Sequence, residues 1–369
     1  MSIFGLGIML LILILLILGI IVAVIKFKSS KKDEGYSALL FSYGMMLIMS
    51  ASSSTTDKIL VAIGVITKYE NAQSLEGSFN FWYFGLGIAL ISISVLIYLN
   101  SKKKLYILNI NAYIPMRIED FFKGMKMSNF EFKEREIDLI KIYKRIFSKR
   151  LDDESFECIK DEIEQKVEAF KNETSDIKRG YTGIAPIPFI IYAGTFLERI
   201  QIKNYYEFDK IATQSYYKLR EDKKIKFPQL KINTDIDNLN KLNTEVVLSI
   251  SLTQFITRED LCQFLNLDIV EMGTGMTKDN IIIGKEQLFQ YNNLIFETIE
   301  KLGKKLPKLK TIHIVYSGQS CLALEMGKRS IDSTRLPQII SYQFEIQSEI
   351  KYPWGIVING ADKGKLIRA

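Results

Sequence analysis

The sequence predicts N-terminal transmembrane α-helices followed by a cytosolic α/β domain, built as two fused Rossmann-like halves behind a helical linker. Three observations carry this prediction. Long uncharged apolar runs occupy the first hundred residues, lysine clusters close them, and a strand–glycine–helix pattern occurs twice after residue 180.

The membrane module is assigned to residues 1–104, with spans at about 3–25, 36–52 and 79–99. From Ile3 to Ile25 no residue is charged. That run supplies the roughly 20 apolar residues a helix needs to cross a ~30 Å hydrocarbon core. Lys26, Lys28, Lys31 and Lys32 follow the run rather than precede it, and no small-residue cleavage site comes after it. The segment therefore reads as a span and not as a cleaved signal. The last span opens with Phe81, Trp82, Tyr83 and Phe84, rings that favour the headgroup level, and closes at Lys102, Lys103 and Lys104. The middle segment, from Tyr36, is diluted by serine and glycine, and Ile59–Ile66 is too short to cross alone. Placing both lysine clusters in the cytoplasm requires one crossing between them. Three spans result, with the N-terminus outside and the C-terminal domain in the cytoplasm; a four-span path is the alternative. Gly19/Ala23 and Gly85/Ala89 are the expected helix-packing faces. The two strong spans contain no ionisable residue, which argues against a proton pump or charge-relay transporter.

Net charge is +7, which suits anionic lipid and an anionic ligand. Cys158, Cys262 and Cys321 are far apart and form no C-x-x-C pair, as expected in a reducing cytosol. The single histidine, His313, lies in a predicted strand, Thr311–Ser317, where a structural role is expected. Its solitude excludes H-E-x-x-H metal sites and most triad chemistry. Ser317-Gly318-Gln319-Ser320 lacks the closing glycine of a nucleophile elbow, and Gly360–Lys365 is one residue short of a Walker A loop. No catalytic or metal constellation and no cofactor is expected, and the chain reads as non-enzymatic.

Residues 105–177 are read as a helical linker or coupling segment that opens with a short strand at 105–110. Ser128-Asn129-Phe130-Glu131 has the form of a capping box, and Phe156, Ile159, Ile163, Val167 and Phe170 make one apolar stripe at helical spacing. Residues 178–369 form the α/β domain, with halves at roughly 180–235 and 244–360. Phe189-Ile-Ile-Tyr192-Ala-Gly194 matches His313-Ile-Val-Tyr316-Ser-Gly318. Each is read as a strand, a glycine turn and a helix (Phe196–Gln201; Ser320–Gly327). Each then leads to a second strand, Tyr206-Glu-Phe208-Asp or Tyr342-Gln-Phe344-Glu.

In open α/β sheets ligands sit beyond the carboxyl ends of the strands, where helix N-termini favour phosphate. The candidate binding residues are accordingly Gly194, Thr195, Ser317, Gly318, Gln319 and Ser320 at the two turns, with Thr253 and Gln254 after a strand Val246–Leu252. Lys328 and Arg329 are candidates for charge pairing, and Tyr206 and Tyr342 for stacking on planar groups of a ligand.

Gly183-Ile184-Ala185-Pro186-Ile187-Pro188, running into Phe189–Gly194, resembles the opening of SAVED domains. So does the stretch His313–Gly327 with Arg329, Pro337, Tyr342 and Tyr352, ending in a strand Gly355–Asn359; the resemblance spans roughly 178–360. It implies two fused CARF-like units that sense a cyclic oligonucleotide, with a cyclic trinucleotide expected, in CBASS anti-phage defence or CRISPR-linked signalling. The fused N-terminal module would be the effector: homo-oligomerisation on ligand binding would disrupt the membrane, with lipid as a partner and no DNA or RNA duplex. A membrane-tethered nucleotide-processing enzyme and a ligand-independent membrane anchor are the alternatives. One departure stands out. Members often carry a Trp-containing segment after the second strand of the first half, where Ile211–Leu219 here has Tyr216 and Tyr217.

Overall fold

The computed structural model describes residues 3–28, 32–51, 81–114, 117–124, 132–147, 151–173, 178–222, 226–330 and 336–368. The chain divides into two compact units, Met1–Leu105 with Thr174–Lys178, and Tyr106–Glu173 with Arg179–Ala369.

Among its described residues the first unit holds three helices: α1 (Ile3–Lys28), α2 (Lys32–Ser50) and α3 (Phe81–Lys103). At 1.5 Å per residue, the 26 residues of α1 reach about 39 Å. Within α3, Phe81–Ser101 is long and apolar enough to cross a bilayer, with a mean hydropathy of 2.0. Its Leu86, Ile88, Ile93, Val95 and Leu96 are 44–60% exposed, an apolar surface that water does not favour. The segment Ile59–Ile66 and the Ser128–Glu131 box lie outside the described residues.

Close approach of α2 to α3 rests on Gly44 and Gly87, where a Cβ on either residue would come within 2.8 Å of the other's carbonyl oxygen. Ser37 and Ser94 bond reciprocally nearby, each hydroxyl donating to the other's carbonyl at 3.0 and 2.8 Å. Gly19 packs against Ser42 of α2, as a packing face should. Gly85, in contrast, faces open space, so the small residue that α3 uses is Gly87 and not Gly85. Lys26 pairs with Glu34, and Lys104 with Asp33. These pairs gather the C-termini of α1 and α3 at the N-terminus of α2, acid at the positive helix end and base at the negative ends. Lys26 and Lys104 therefore share one end of the unit.

In the second unit a five-stranded sheet has the order β2-β1-β3-β4-β5. Its strands are β1 (Leu105–Asn111), β2 (Phe132–Asp138), β3 (Lys178–Ile184), β4 (Asn204–Asp209) and β5 (Ser215–Lys218). The stretch 105–177 is thus not an all-helical connector. It gives two strands to this sheet, together with α4 (Ile118–Gly124), α5 (Ile140–Phe147) and α6 (Asp153–Lys171). In α6, Phe156, Ile159, Ile163, Val167 and Phe170 are all buried, and the Phe170 ring lies 4.8 Å from that of Tyr106 on β1.

The second sheet has the order β12-β11-β10-β9-β7-β8-β6. Its members are β6 (Lys231–Ile232), β7 (Glu245–Ser251), β8 (Asp268–Gly273), β9 (Thr311–Ser317), β10 (Gln338–Gln343), β11 (Trp354–Val357) and β12 (Leu366–Arg368). The central run β8-β7-β9-β10 is parallel, and the flanking pairs are antiparallel. Helix α8 (Lys285–Lys305) links β8 to β9, and α9 (Ser320–Arg329) links β9 to β10.

The internal repeat is real, but its boundaries differ from those expected. Phe189–Gly194 is not a strand; it belongs to α7 (Ile187–Gly194), and Phe196–Gln201 forms turns instead of a helix. A continuous apolar run carries no period that separates a buried strand from a buried helix. Here Pro186 and Pro188 set the helical start. The matching strand ends are Tyr181-Thr182-Gly183 of β3 and Tyr316-Ser317-Gly318 of β9. In both, the tyrosine hydroxyl folds over the glycine so closely that a Cβ there would collide with it. The repeating unit is therefore β3-α7-β4-β5 and β9-α9-β10-β11. Helices α7 and α9 lie between the sheets, buried from Pro188 to Gly194 and from Ser320 to Gly327. They cross at Gly194 and Gly327, where a Cβ on either residue would lie 3.0 Å from the other's Cα.

Candidate functional site

The four parallel strands of the second sheet end at one level. Ser251 stands opposite Gly273 and Ser317, and Tyr342 opposite Val315, so Phe344 follows at the height of Ser317. This carboxyl rim is the place where an open α/β sheet receives ligands. The Thr253 and Ser317 hydroxyls lie 3.0 Å apart, and the Ser317 hydroxyl also accepts from the Gln254 amide at 3.0 Å. The Lys278 amide donates to the Leu252 carbonyl, drawing the loop after β8 onto the same rim. Phe255, Met276 and Phe344 expose 64%, 59% and 36% of their surface beside these polar groups. Arg258 and Lys278, both exposed, add positive charge on the same loops. Stacking surfaces, hydroxyls and cations together suit a ligand with both bases and phosphates.

Of the residues expected at the site, Thr253, Gln254, Ser317 and Gly318 stand on this rim. The others are engaged with protein groups away from the rim. Gly194 lies at the α7–α9 crossing and not at a strand end, and the buried Thr195 hydroxyl donates to the Tyr192 carbonyl at 2.6 Å. Tyr206 is buried against Phe121 and Phe122, and Tyr342 against Phe264 and His313. The Gln319 side chain accepts from the Ile282 amide at 2.5 Å and donates to the Tyr217 hydroxyl at 2.7 Å, tying the two halves together. Ser320 is buried, and its hydroxyl donates to Glu207 at 2.9 Å. Lys328 pairs with Glu325 at 2.7 Å, where the Tyr205 hydroxyl also donates. Arg329 lies over the Phe296 ring and bonds Asn293. Phe255, Met276 and Phe344 were not expected at the site. Their signal is large apolar side chains just beyond strand ends, which in sequence read as ordinary core.

A second polar group lies farther back on β9. His313 Nδ1 is 3.0 Å from the Tyr342 hydroxyl, and Nε2 is 3.1 Å from Glu245. Burial lowers the pKa of His313, and the Glu245 carboxylate opposes that only in part. A histidine held neutral in the fold adds stability above its unfolded value of ~6.5, and that stability is lost as pH falls towards the folded value. In thermal unfolding scans at steps from pH 7.5 to 5, the wild-type midpoint should therefore lose ground to that of His313→Asn as pH falls.

A family model described as "SAVED: SMODS-associated and fused to various effectors sensor domain" matches residues 159–358. The chain belongs to the SAVED family. The match runs from α6 through β11, so it takes in both central helices and the whole rim of the SAVED unit. Among solved structures, the SAVED chain is similar to the Acinetobacter baumannii Cap4 SAVED/CARF-domain containing receptor with the cyclic trinucleotide 2'3'3'-cAAA. Identity is 11% and the TM-score 0.44, over 88% of this chain and 65% of that one. The same receptor with 3'3'3'-cAAA gives 10% and 0.43, over 86% and 76%. A Moraxella osloensis Cap4 receptor gives 11% and 0.42, over 89% and 66%. The chain thus spans just under two thirds of the first of these receptors. No curated protein sequence matches it.

Proposed function

We propose that this protein is a membrane effector of bacterial anti-phage defence, whose SAVED unit binds a cyclic oligonucleotide and whose N-terminal helices carry the output. The observation that carries the reading is the SAVED match over 159–358, a sensor family, on a chain whose first hundred residues supply apolar helices. The exposed apolar surface of α3 and the gathering of Lys26 and Lys104 at one end support three spans with the SAVED unit in the cytoplasm. The ligand is seated on the rim: hydroxyls of Thr253 and Ser317 with Arg258 and Lys278 hold phosphates, and Phe255, Met276 and Phe344 stack on bases. Its binding drives self-assembly and opens the inner membrane, collapsing the ion gradient of the infected cell.

Full-length protein in vesicles loaded with a self-quenched dye tests the output. Dye release on adding a cyclic oligonucleotide, and none with the linear form, is the expected result. Binding without release favours a ligand-gated anchor, and turnover of the nucleotide favours an enzyme; either outcome removes the pore.

A further inference from the structure

The two inner helices are capped crosswise. At the start of α7, the Ile187 amide donates to Oε1 of Gln343, a residue of β10 in the other half, at 3.1 Å. At the start of α9, the Cys321 amide and the Ser320 hydroxyl donate to Oε1 of Glu207, on β4, at 2.6 and 2.9 Å. The two caps hold matching places in Tyr206-Glu207-Phe208-Asp209 and Tyr342-Gln343-Phe344-Glu345. One is an amide and neutral at every pH. The other is a carboxyl.

Glu207 is 5% exposed. The titratable groups that face it are Tyr181 of β3, Tyr217 of β5, Tyr316 of β9 and Cys321 of α9. Glu325 stands farther along α9, held by Tyr205 and Lys328. Among the described residues, no cation faces the carboxyl. The helix N-terminus offers it amide bonds and a partial positive charge, but desolvation without a counter-ion is the larger effect and pushes its pKa up. Burial pushes the pKa of all four neighbours up as well, so they stay neutral to pH 8 and above.

We infer that Glu207 is an ionisable latch between the two halves of the SAVED unit, closed on α9 as the neutral acid and released when water can hydrate the carboxylate. Opening the seam restores an ordinary carboxyl, so between the open and closed pKa values each opening sheds one proton. The opening equilibrium then rises up to tenfold per pH unit and levels off above the closed value. The latch contributes fully below pH ~4.5 and is lost as pH rises through the closed value. The seam lies directly behind Ser317–Gln319, so its looseness bears on the rim, yet the inference needs no ligand.

Hydrogen–deuterium exchange on the full-length protein in detergent, from pH 5 to 8 and corrected for intrinsic rates, tests it. Peptides covering 204–209 and 320–325 should open up to tenfold more per pH unit over part of that range. Glu207→Gln should make both flat and better protected. Gln343→Glu should confer a new rise with pH on peptides covering 187–192, a result that stands even if Glu207→Gln fails to fold. A flat wild-type profile, an unchanged slope in Glu207→Gln, or no new slope in Gln343→Glu each overturns the latch.

Discussion

Gly327→Val is expected to prevent folding of the SAVED unit, and Gly327→Ala to lower its stability by at least the ~1–3 kcal/mol typical of overpacked cores. A Cβ at Gly327 would run into the Ile191 carbonyl oxygen and come 3.0 Å from the Gly194 Cα. Backbone cannot rotate aside as a side chain can, and α7 and α9 are walled in by a sheet on either side. The helices must separate, and every cap and side chain that spans the halves is strained with them. At ~2–4 °C per kcal/mol for a unit of this size, the alanine variant should melt at least several degrees lower. Gly194→Ala, at the other side of the crossing, should behave alike. Gly85→Ala, with open space around it, should leave the midpoint within a degree. Thermal unfolding followed by circular dichroism in detergent reads all three.

Phe255→Ala is expected to weaken cyclic-oligonucleotide binding by ~1–3 kcal/mol, the value of one base–aromatic stack, or about five- to 150-fold in Kd. At 64% exposure the ring contributes little to the core, so the melting temperature should hold. That separation matters because Tyr206 and Tyr342, the aromatics a sequence reader would choose first, are core residues. Replacing either would lower affinity and stability together and say nothing about stacking. Isothermal titration of wild type and variant, with matched melting curves, distinguishes contact from collapse.

Elements that repeat a clear period were legible. The α6 stripe is buried at all five expected positions, and β9 spans the very residues its apolar run predicted. Strand β2 was misread as helix because it is an edge strand of Phe-Lys-Glu-Arg-Glu-Ile-Asp, where charge on both faces blocks edge pairing and erases alternation. The first half was misaligned because Tyr192-Ala-Gly194 offered a longer apolar match than the correct Tyr181-Thr182-Gly183. Only the fold of tyrosine over glycine distinguishes the two triplets. The position of Thr253, Gln254, Ser317 and Gly318 at the strand ends was legible, because each follows or closes a clear apolar run. The occupation of α9's N-terminus by Glu207 did not, because 113 residues separate that carboxylate from Ser320. Nor did the fate of Lys328, since a cation near a glycine turn reads as available until its buried partner Glu325 is seen.

The SAVED unit is proposed to sense a cyclic oligonucleotide. The most direct test is titration of the full-length protein in detergent with cyclic di-, tri- and tetranucleotides, including the 2'3'3'-cAAA and 3'3'3'-cAAA held by the Acinetobacter receptors. Saturable binding of at least one ring, weakened in Phe255→Ala and absent for its linear counterpart, is the predicted result. Folded protein that binds none of the panel would contradict it.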